Sequence, residues 1–311
     1  MINNQKNNPA RLKNNNRSSR IKKFREYGII IFSWGSFFLL AAILLCTLGY
    51  LLWRGGPTLG SKLLFGTTAP LDGLLLREQV FDGLFPALIG TLTLVVLAVT
   101  MAVPLGVGAG IYMAEFARRG PKHILSALFD VLAGLPSIVI GLAGFSLSVL
   151  FHRLLPGRLG PCLLLSAGSL SFLVLPYLVR STQTALESIP FSVRCTAPAM
   201  GATPIQNILH VLLPSRLPDI LGGVLLAIGR CAEDTAVIML TGVVVSAGLP
   251  RSLFEQFEAL PFYIYYISSQ YSDPGELQSG FSAAILLLAL CAIIFAFTCA
   301  VEQLVSRRLL R

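Results

Sequence analysis

Charge is scarce along this chain. Asp, Glu, Lys and Arg make up 13% of its 311 residues, against roughly 25% in a soluble domain. That excludes an ordinary water-solvated surface over most of the molecule. His123, His152 and His210 are the only histidines, too scattered to suggest a metal site. None of the six cysteines (Cys46, Cys162, Cys195, Cys231, Cys291, Cys299) forms a C-x-x-C pair. They read as small apolar side chains in helices, not as disulfides or metal ligands. No G-x-x-x-x-G-K-[ST] is present, so the chain cannot hold ATP phosphates in that way. Neither G-x-S-x-G nor H-E-x-x-H occurs, which leaves a membrane-embedded hydrolase without its nucleophile or its zinc ligands.

What the chain does have is apolar length. Hydrophobic residues make up 54% and mean hydropathy is +0.74. A helix needs about 20 mostly apolar residues to cross a bilayer. Six stretches qualify: 28–53, 83–114, 131–151, 159–179, 220–250 and 277–301. The first is too long for a signal-peptide core and no A-x-A site follows, so it reads as a retained span. Pro86 and Pro104 in the second predict a helix start and a bend. Residues 1–20 are rich in Asn, Lys, Arg and Ser. They have too little apolar area to offset ordering, which predicts disorder.

The net charge of +9 raises nucleic acid as a partner, but position decides against it. Eight basic residues (Lys6, Arg11, Lys13, Arg17, Arg20, Lys22, Lys23, Arg25) precede the first span. Such a flank is an orientation signal, and the tail lacks the aromatics and fold signature of a nucleic-acid binder. With the N-terminus in the cytoplasm and six alternating spans, seventeen Lys and Arg fall inside. Six (Arg54, Lys62, Arg77, Arg153, Arg158, Arg251) fall outside, and Arg230 falls within the membrane. This obeys the positive-inside rule and returns the C-terminus to the cytoplasm. The expected organisation is a basic disordered tail (1–27), a first span (28–53) and an outer loop (54–83). A helical membrane domain (84–304) with an inner segment (190–214) follows, then a basic tail (305–311). The inner segment 180–218 and the aromatic, acidic outer loop 251–276 are long enough to suggest function or partner binding.

The inner segment has local order written into it. Ala197–Pro218 reads APAMGATPIQNILHVLLPSRLP. Gly201 breaks the chain, Thr203 suits an N-cap and Pro204 the first helical position. Thr203-x-x-Gln206 is a capping box. A short helix is expected from Pro204 to about Leu213, with Ile205, Ile208, Leu209 and Leu212 as its apolar stripe. Taken alone, it could be an amphipathic helix lying on the bilayer.

Gly201, nine intervening residues and then Val211-Leu212-Leu213-Pro214 resemble the cytoplasmic signature E-A-A-x3-G-x9-I-x-L-P of ABC importer permeases. The start departs from it: Cys195 stands at the glutamate position, Thr196 follows, and Ala197 fits. VPLGVGAGIYMAE (103–115), DVLAGLPSIVIG (130–141), AIGRCAEDTA (227–236) and LPFYIYYISSQ (260–270) are similar to segments of the PstA-type phosphate permease family. The resemblance covers about residues 80–305. It implies an all-α integral membrane protein of the type I ABC importer (MetI-like) fold in a bacterial inner membrane. It has six transmembrane helices and both termini cytoplasmic. It implies a transporter subunit, not an enzyme, that binds no cofactor itself, with ATP and Mg held by a separate ABC ATPase subunit. The other implied partners are a second, PstC-like permease and an extracytoplasmic phosphate-binding protein. By the same resemblance, Ala197, Gly201, Thr203, Ile205, Leu209, Leu213 and Pro214 form the surface that couples to the ATPase.

Arg230, Glu233 and Asp234 interrupt the fifth apolar stretch. A charge at the centre of a spanning helix costs about 2.5–3.5 kcal/mol on insertion scales, so their common face should point into the bundle or a watery path. At spacings of three and four they can pair. One reading is an anion path, with Arg230 presenting a planar donor fork to phosphate and Asp234 as its resting partner. Thr235 lies beside them on that path. The other is an ion pair that locks the bundle. Family members carry glycine and glutamate where this chain has Glu233 and Asp234. The extra carboxylate opposes an anion; phosphate is the expected substrate, with another oxyanion such as molybdate or sulfate as the alternative. A non-transporting membrane scaffold is the remaining alternative. Gly106 and Gly110 form a small-xxx-small pair suited to close helix packing.

Overall fold

A computed structural model describes residues 9–66, 83–154 and 160–309, with side chains described for 26–66, 83–154 and 160–304. Arg77 and Arg158, two of the expected outer charges, lie outside the described residues. The chain divides into an N-terminal unit, 1–53, and a body, 54–311.

The N-terminal unit is helical. Helix α1 (Pro9–Gly55) begins well before the first apolar residue of the span. Residues 9–27 are therefore helical, where composition predicts disorder. Nucleation is the costly step in helix formation and propagation is cheap. Once Gly28 onward is helical, the Arg- and Lys-rich stretch can extend the helix backwards, since both residues are good helix formers. Ile31, Phe32 and Leu40 are exposed, as side chains meeting lipid must be.

In the body the spans are α2 (Phe85–Ile111), α4 (Ser137–Leu154), α5 (Leu163–Glu187) and α9 (Pro274–Leu309). With α1 these make five helices long and apolar enough to cross a membrane. A bent pair, helical turns over Pro204–Ser215 meeting α6 (Leu217–Glu233) at 70°, makes a sixth only if it is counted as one span. Pro86 sits in the first turn of α2 as expected, and α2 continues through Pro104.

Two boundaries differ from the sequence reading, each for a local reason. The third apolar stretch is divided between α3 (Arg119–Gly134) and α4. Leu135 is extended (φ −69°, ψ 134°), as a residue before proline prefers to be. The fifth stretch stops being one helix at Asp234, whose extended backbone (φ −75°, ψ 111°) ends α6 and starts α7 (Thr235–Thr241). Residues 242–259 turn back without regular helix to α8 (Leu260–Gln270). The basic residues after 304 continue α9 as far as Leu309.

The core forms where α2 and α5 lie against each other. Leu94, Ala98 and Ala102 meet Leu170, Val174 and Leu178, and Ala227 and Cys231 of α6 close the cluster. Gly106 and Gly110 set the approach. A Cβ on Gly106 would fall 2.6 Å from the Leu178 Cβ, and one on Gly110 would fall 2.6 Å from the Thr182 Cβ. The pair serves packing between helices that have little hydrophobic drive to associate in lipid.

The return segment is held by one buried carboxylate. Glu258 Oε1 accepts hydrogen bonds from the backbone N–H groups of Ala247 (2.9 Å) and Gly248 (2.8 Å). Gly248 has φ +71°, a conformation glycine adopts freely. Burial pushes the Glu258 carboxyl up to about 7, against the two N–H donors that pull it down. A carboxyl raised on folding leaves the unfolded segment to ionise first. The clamp is therefore strongest below its ordinary value of 4.5 and weakens as pH rises to about 7. Glu258→Gln keeps an acceptor for both donors, so hydrogen exchange at Ala247 and Gly248 should lose that pH dependence. Glu258→Ala strands two donors and should speed exchange at every pH, by about 1–3 kcal/mol of local stability. Unchanged exchange in the alanine variant would remove Glu258 from this role.

Candidate functional site

Arg230 lies three residues from the C-terminal end of α6 and reaches into a cleft of about 690 Å³. Tyr177 of α5, Phe295 of α9 and Gly222, Gly229 and Glu233 of α6 line this cleft with it. The glycines leave one wall as bare backbone. Arg230 Nη1 donates to Glu233 Oε1 at 3.0 Å. Its Nη2 stands 4.0 Å from Asp234 Oδ2, outside hydrogen-bond range. Its Nε is buried with no hydrogen-bond partner.

Glu233 makes the shorter contact to the guanidinium, and the expected pair with Asp234 is present only as a long ion pair. Asp234 is buried and spends Oδ1 on the Val237 N–H at 3.0 Å, as N-cap of α7. Aspartate is a preferred cap because its oxygen satisfies an otherwise orphaned donor. The helix ends between Glu233 and Asp234, yet both carboxylates remain beside the Arg230 guanidinium. Thr235 begins α7 and is half-buried. Glu233 is largely exposed, and the Arg230–Glu233 pair is open to solvent or ligand at its outer edge.

The second candidate region is the segment after α5. It runs through short helical turns at Phe191–Arg194 and Thr196–Ala199, a break at Gly201, and a further turn at Pro204–Asn207. The capping box forms as the sequence predicts: Thr203 Oγ1 accepts from Gln206 N–H at 3.4 Å, and Gln206 Oε1 accepts from Thr203 N–H at 2.9 Å. The expected helix continues, but Ile208–Leu212 widens to a π-helical turn. Its stripe divides. Ile208 and Leu212 are buried against Leu186 and Ile189. Ile205 and Leu209 are exposed, as are Phe191 and Met200. Ala197, Leu213 and Pro214 are half-buried and Thr203 is exposed. The segment therefore grips its own bundle with one side and presents apolar side chains with the other.

Three further residues, Arg194, Glu115 and Asn207, anchor this elbow. Arg194 Nη1 donates to Glu115 Oε1 at 2.6 Å, its Nη2 to the Leu186 carbonyl at 2.5 Å and its Nε to the Ile189 carbonyl at 3.2 Å. Glu115 lies in the π-helical turn Tyr112–Phe116 that follows α2. Asn207 Nδ2 donates to the Arg194 carbonyl at 3.0 Å. A lone carboxylate at the end of an apolar span needs a cation, and that was the signal available for Glu115. On α3, Asp130 pairs with Arg180 at 2.5 Å and Lys122 with Glu187 at 2.6 Å. Asp130 is thus paired as well as exposed.

Several lipid-spanning helices, a charged cleft within the bundle and an anchored apolar elbow define a polytopic permease. The family described as "Binding-protein-dependent transport system inner membrane component" matches residues 106–307, and the chain belongs to it, a multi-pass protein of the bacterial inner membrane. It is 32% identical over 246 residues to a protein of Mycobacterium leprae named "Phosphate transport system permease protein PstA", covering 78% of this chain and 77% of that one. A Haemophilus influenzae protein of the same name is 34% identical over 215 residues, covering 68% and 74%. Among solved structures, a bacterial alginate ABC transporter matches with TM-score 0.57 at 17% identity, covering 86% of this chain and 95% of that one. The methionine ABC transporter MetNI matches with TM-score 0.53 at 19% identity, covering 76% and 99%. These two likenesses establish the fold alone, that of ABC importer permeases.

Proposed function

We propose that this chain is one permease subunit of an ATP-driven importer for inorganic phosphate. It pairs with a related permease to enclose the path, and a binding protein delivers the anion from outside. A separate ATPase seats on the exposed face formed by Phe191, Met200, Ile205 and Leu209. Both termini then lie in the cytoplasm, in agreement with the seventeen-to-six distribution of Lys and Arg. Arg230 carries this reading. It is a cation in a glycine-walled cleft of the spanning bundle, and among the described residues its hydrogen-bond partner there, Glu233, is on the exposed edge. A guanidinium offers a tetrahedral oxyanion paired donors in a fixed fork. The identity to relatives named for phosphate transport supports phosphate over other oxyanions.

Glu233 motivates a second reading, a different oxyanion such as molybdate or sulfate, because an additional carboxylate shares the cleft. The test is uptake by the complete transporter, reconstituted with its partner permease, ATPase and binding protein. Phosphate uptake should survive excess molybdate or sulfate, and the phosphate-loaded binding protein should stimulate ATP hydrolysis. Stimulation by molybdate or sulfate but not by phosphate would replace the first reading with the second. No stimulation by any of them would leave a scaffold.

A further inference from the structure

The Arg230 cleft does not end at Arg230. A second cleft of about 670 Å³ runs on from it along α5 and α6, and the two share Tyr177 and Leu226 as wall. The second is lined with polar groups: Arg180, Ser181, Thr184 and Ser188 from α5, and Arg216 and Asp219 at the start of α6. Arg180 already has both terminal nitrogens engaged. It donates to the Ser126 hydroxyl and carbonyl, to Gln183 and to Asp130, so it supplies field more than donors. Arg216 is different. Its ion pair is with Asp219, three residues on, at 3.2 Å, and both side chains are substantially exposed. Such a pair is worth about 0–1 kcal/mol and yields readily to an anion.

The geometry points to a second oxyanion station, formed by Arg216 with the hydroxyl of the exposed Thr184, reached from Arg230 past Tyr177; the Ser181 hydroxyl beside it already donates to the Asp219 carbonyl. The inference rests on the reading of this chain as an oxyanion permease. An anion released from Arg230 along α5 and α6 meets the second cleft, where an exposed, weakly paired guanidinium can hold it briefly on its way. At Arg230 the anion competes with Glu233 at 3.0 Å, and at Arg216 with the looser Asp219. Each station has a carboxylate that can re-engage the arginine when the anion moves on. A phosphate-bearing lipid headgroup has the same chemistry as the transported ion, and Arg216 would hold either.

The experiment uses the complete transporter in proteoliposomes, with radiolabelled inorganic phosphate as the probe. Arg216→Gln should lower the maximal uptake rate about tenfold, the loss of one charge-assisted contact, and leave half-saturating external phosphate unchanged. Inorganic phosphate sealed inside the vesicles should slow the wild type and not this variant. Arg216→Lys should restore most of the rate and the sensitivity to internal phosphate, which loss of folding would not permit. Uptake within about twofold of wild type in Arg216→Gln, with inhibition by internal phosphate intact, would overturn the station. So would a defect seen in vesicles containing phosphatidylglycerol but absent in phosphatidylcholine alone, because Arg216 would then be holding a headgroup. If Arg216→Gln is normal while Arg230→Ala is dead, the second station alone fails. If both transport normally, the anion path itself fails.

Discussion

Arg230→Ala should abolish phosphate uptake by the reconstituted transporter while the complex still assembles. A charge-assisted hydrogen bond is worth about 1.5–3 kcal/mol, and a guanidinium fork can make two to one oxyanion. Removing both should reduce transport at least about a hundredfold. Assembly should be spared, because the side chain is 40% exposed and its closest partner, Glu233, is 64% exposed. Exposed pairs of this kind contribute about 0–1 kcal/mol. Arg230→Lys keeps the charge and loses the fork, so it should retain only part of the rate. Glu233→Gln separates the two readings of the cleft. If Glu233 merely competes with the anion, removing its charge should lower the half-saturating phosphate concentration. If Arg230 and Glu233 instead form a structural lock, both single variants should lower the yield of assembled complex. Undiminished uptake by Arg230→Ala, measured with radiolabelled phosphate, would take Arg230 off the path.

The spans were legible because hydrocarbon imposes a simple demand on sequence: long apolar runs whose backbone is satisfied internally. Four of the six runs return as single helices, and the capping box returns atom for atom at Thr203 and Gln206. What hydropathy could not read was where a run breaks. Leu135-Pro136 and Asp234 each end a helix through backbone conformation, without lowering the average hydropathy enough to signal a boundary. The Asp234 break matters for the site. Periodicity placed Arg230, Glu233 and Asp234 on one face, but periodicity holds only while the helix continues. Once Asp234 becomes a cap, one of its oxygens is committed to Val237 and Glu233 makes the shorter contact to the arginine. The Arg194–Glu115 anchor was hidden for another reason: 79 residues separate its halves, and nothing local in either sequence names the other.

Gly201→Asp should uncouple the ATPase while leaving the membrane body folded. Gly201 has φ +86°, and a Cβ placed there meets nothing within 4 Å. The substitution therefore causes no clash, and its cost has two parts. A left-handed conformation costs an L-residue about 1–2 kcal/mol, with aspartate among the more tolerant. The larger part is the charge. The carboxylate would follow the exposed Met200 in the chain, four residues before the exposed Ile205, on the segment proposed to meet the ATPase. Desolvating an unpaired ion on docking costs several kcal/mol. Gly201→Ala carries the conformational cost alone, so it should keep most of the coupling. Gly201→Asp should lose co-purification of the ATPase and all stimulation of hydrolysis by the loaded binding protein. The anchor beneath, Arg194 on Glu115 with Ile208 and Leu212 packed on Leu186, should hold the elbow in place in both variants. Equal losses in the alanine and aspartate variants would mean that the turn's conformation, not its apolar face, does the coupling. Intact docking and stimulation in Gly201→Asp would move the ATPase contact elsewhere on the protein.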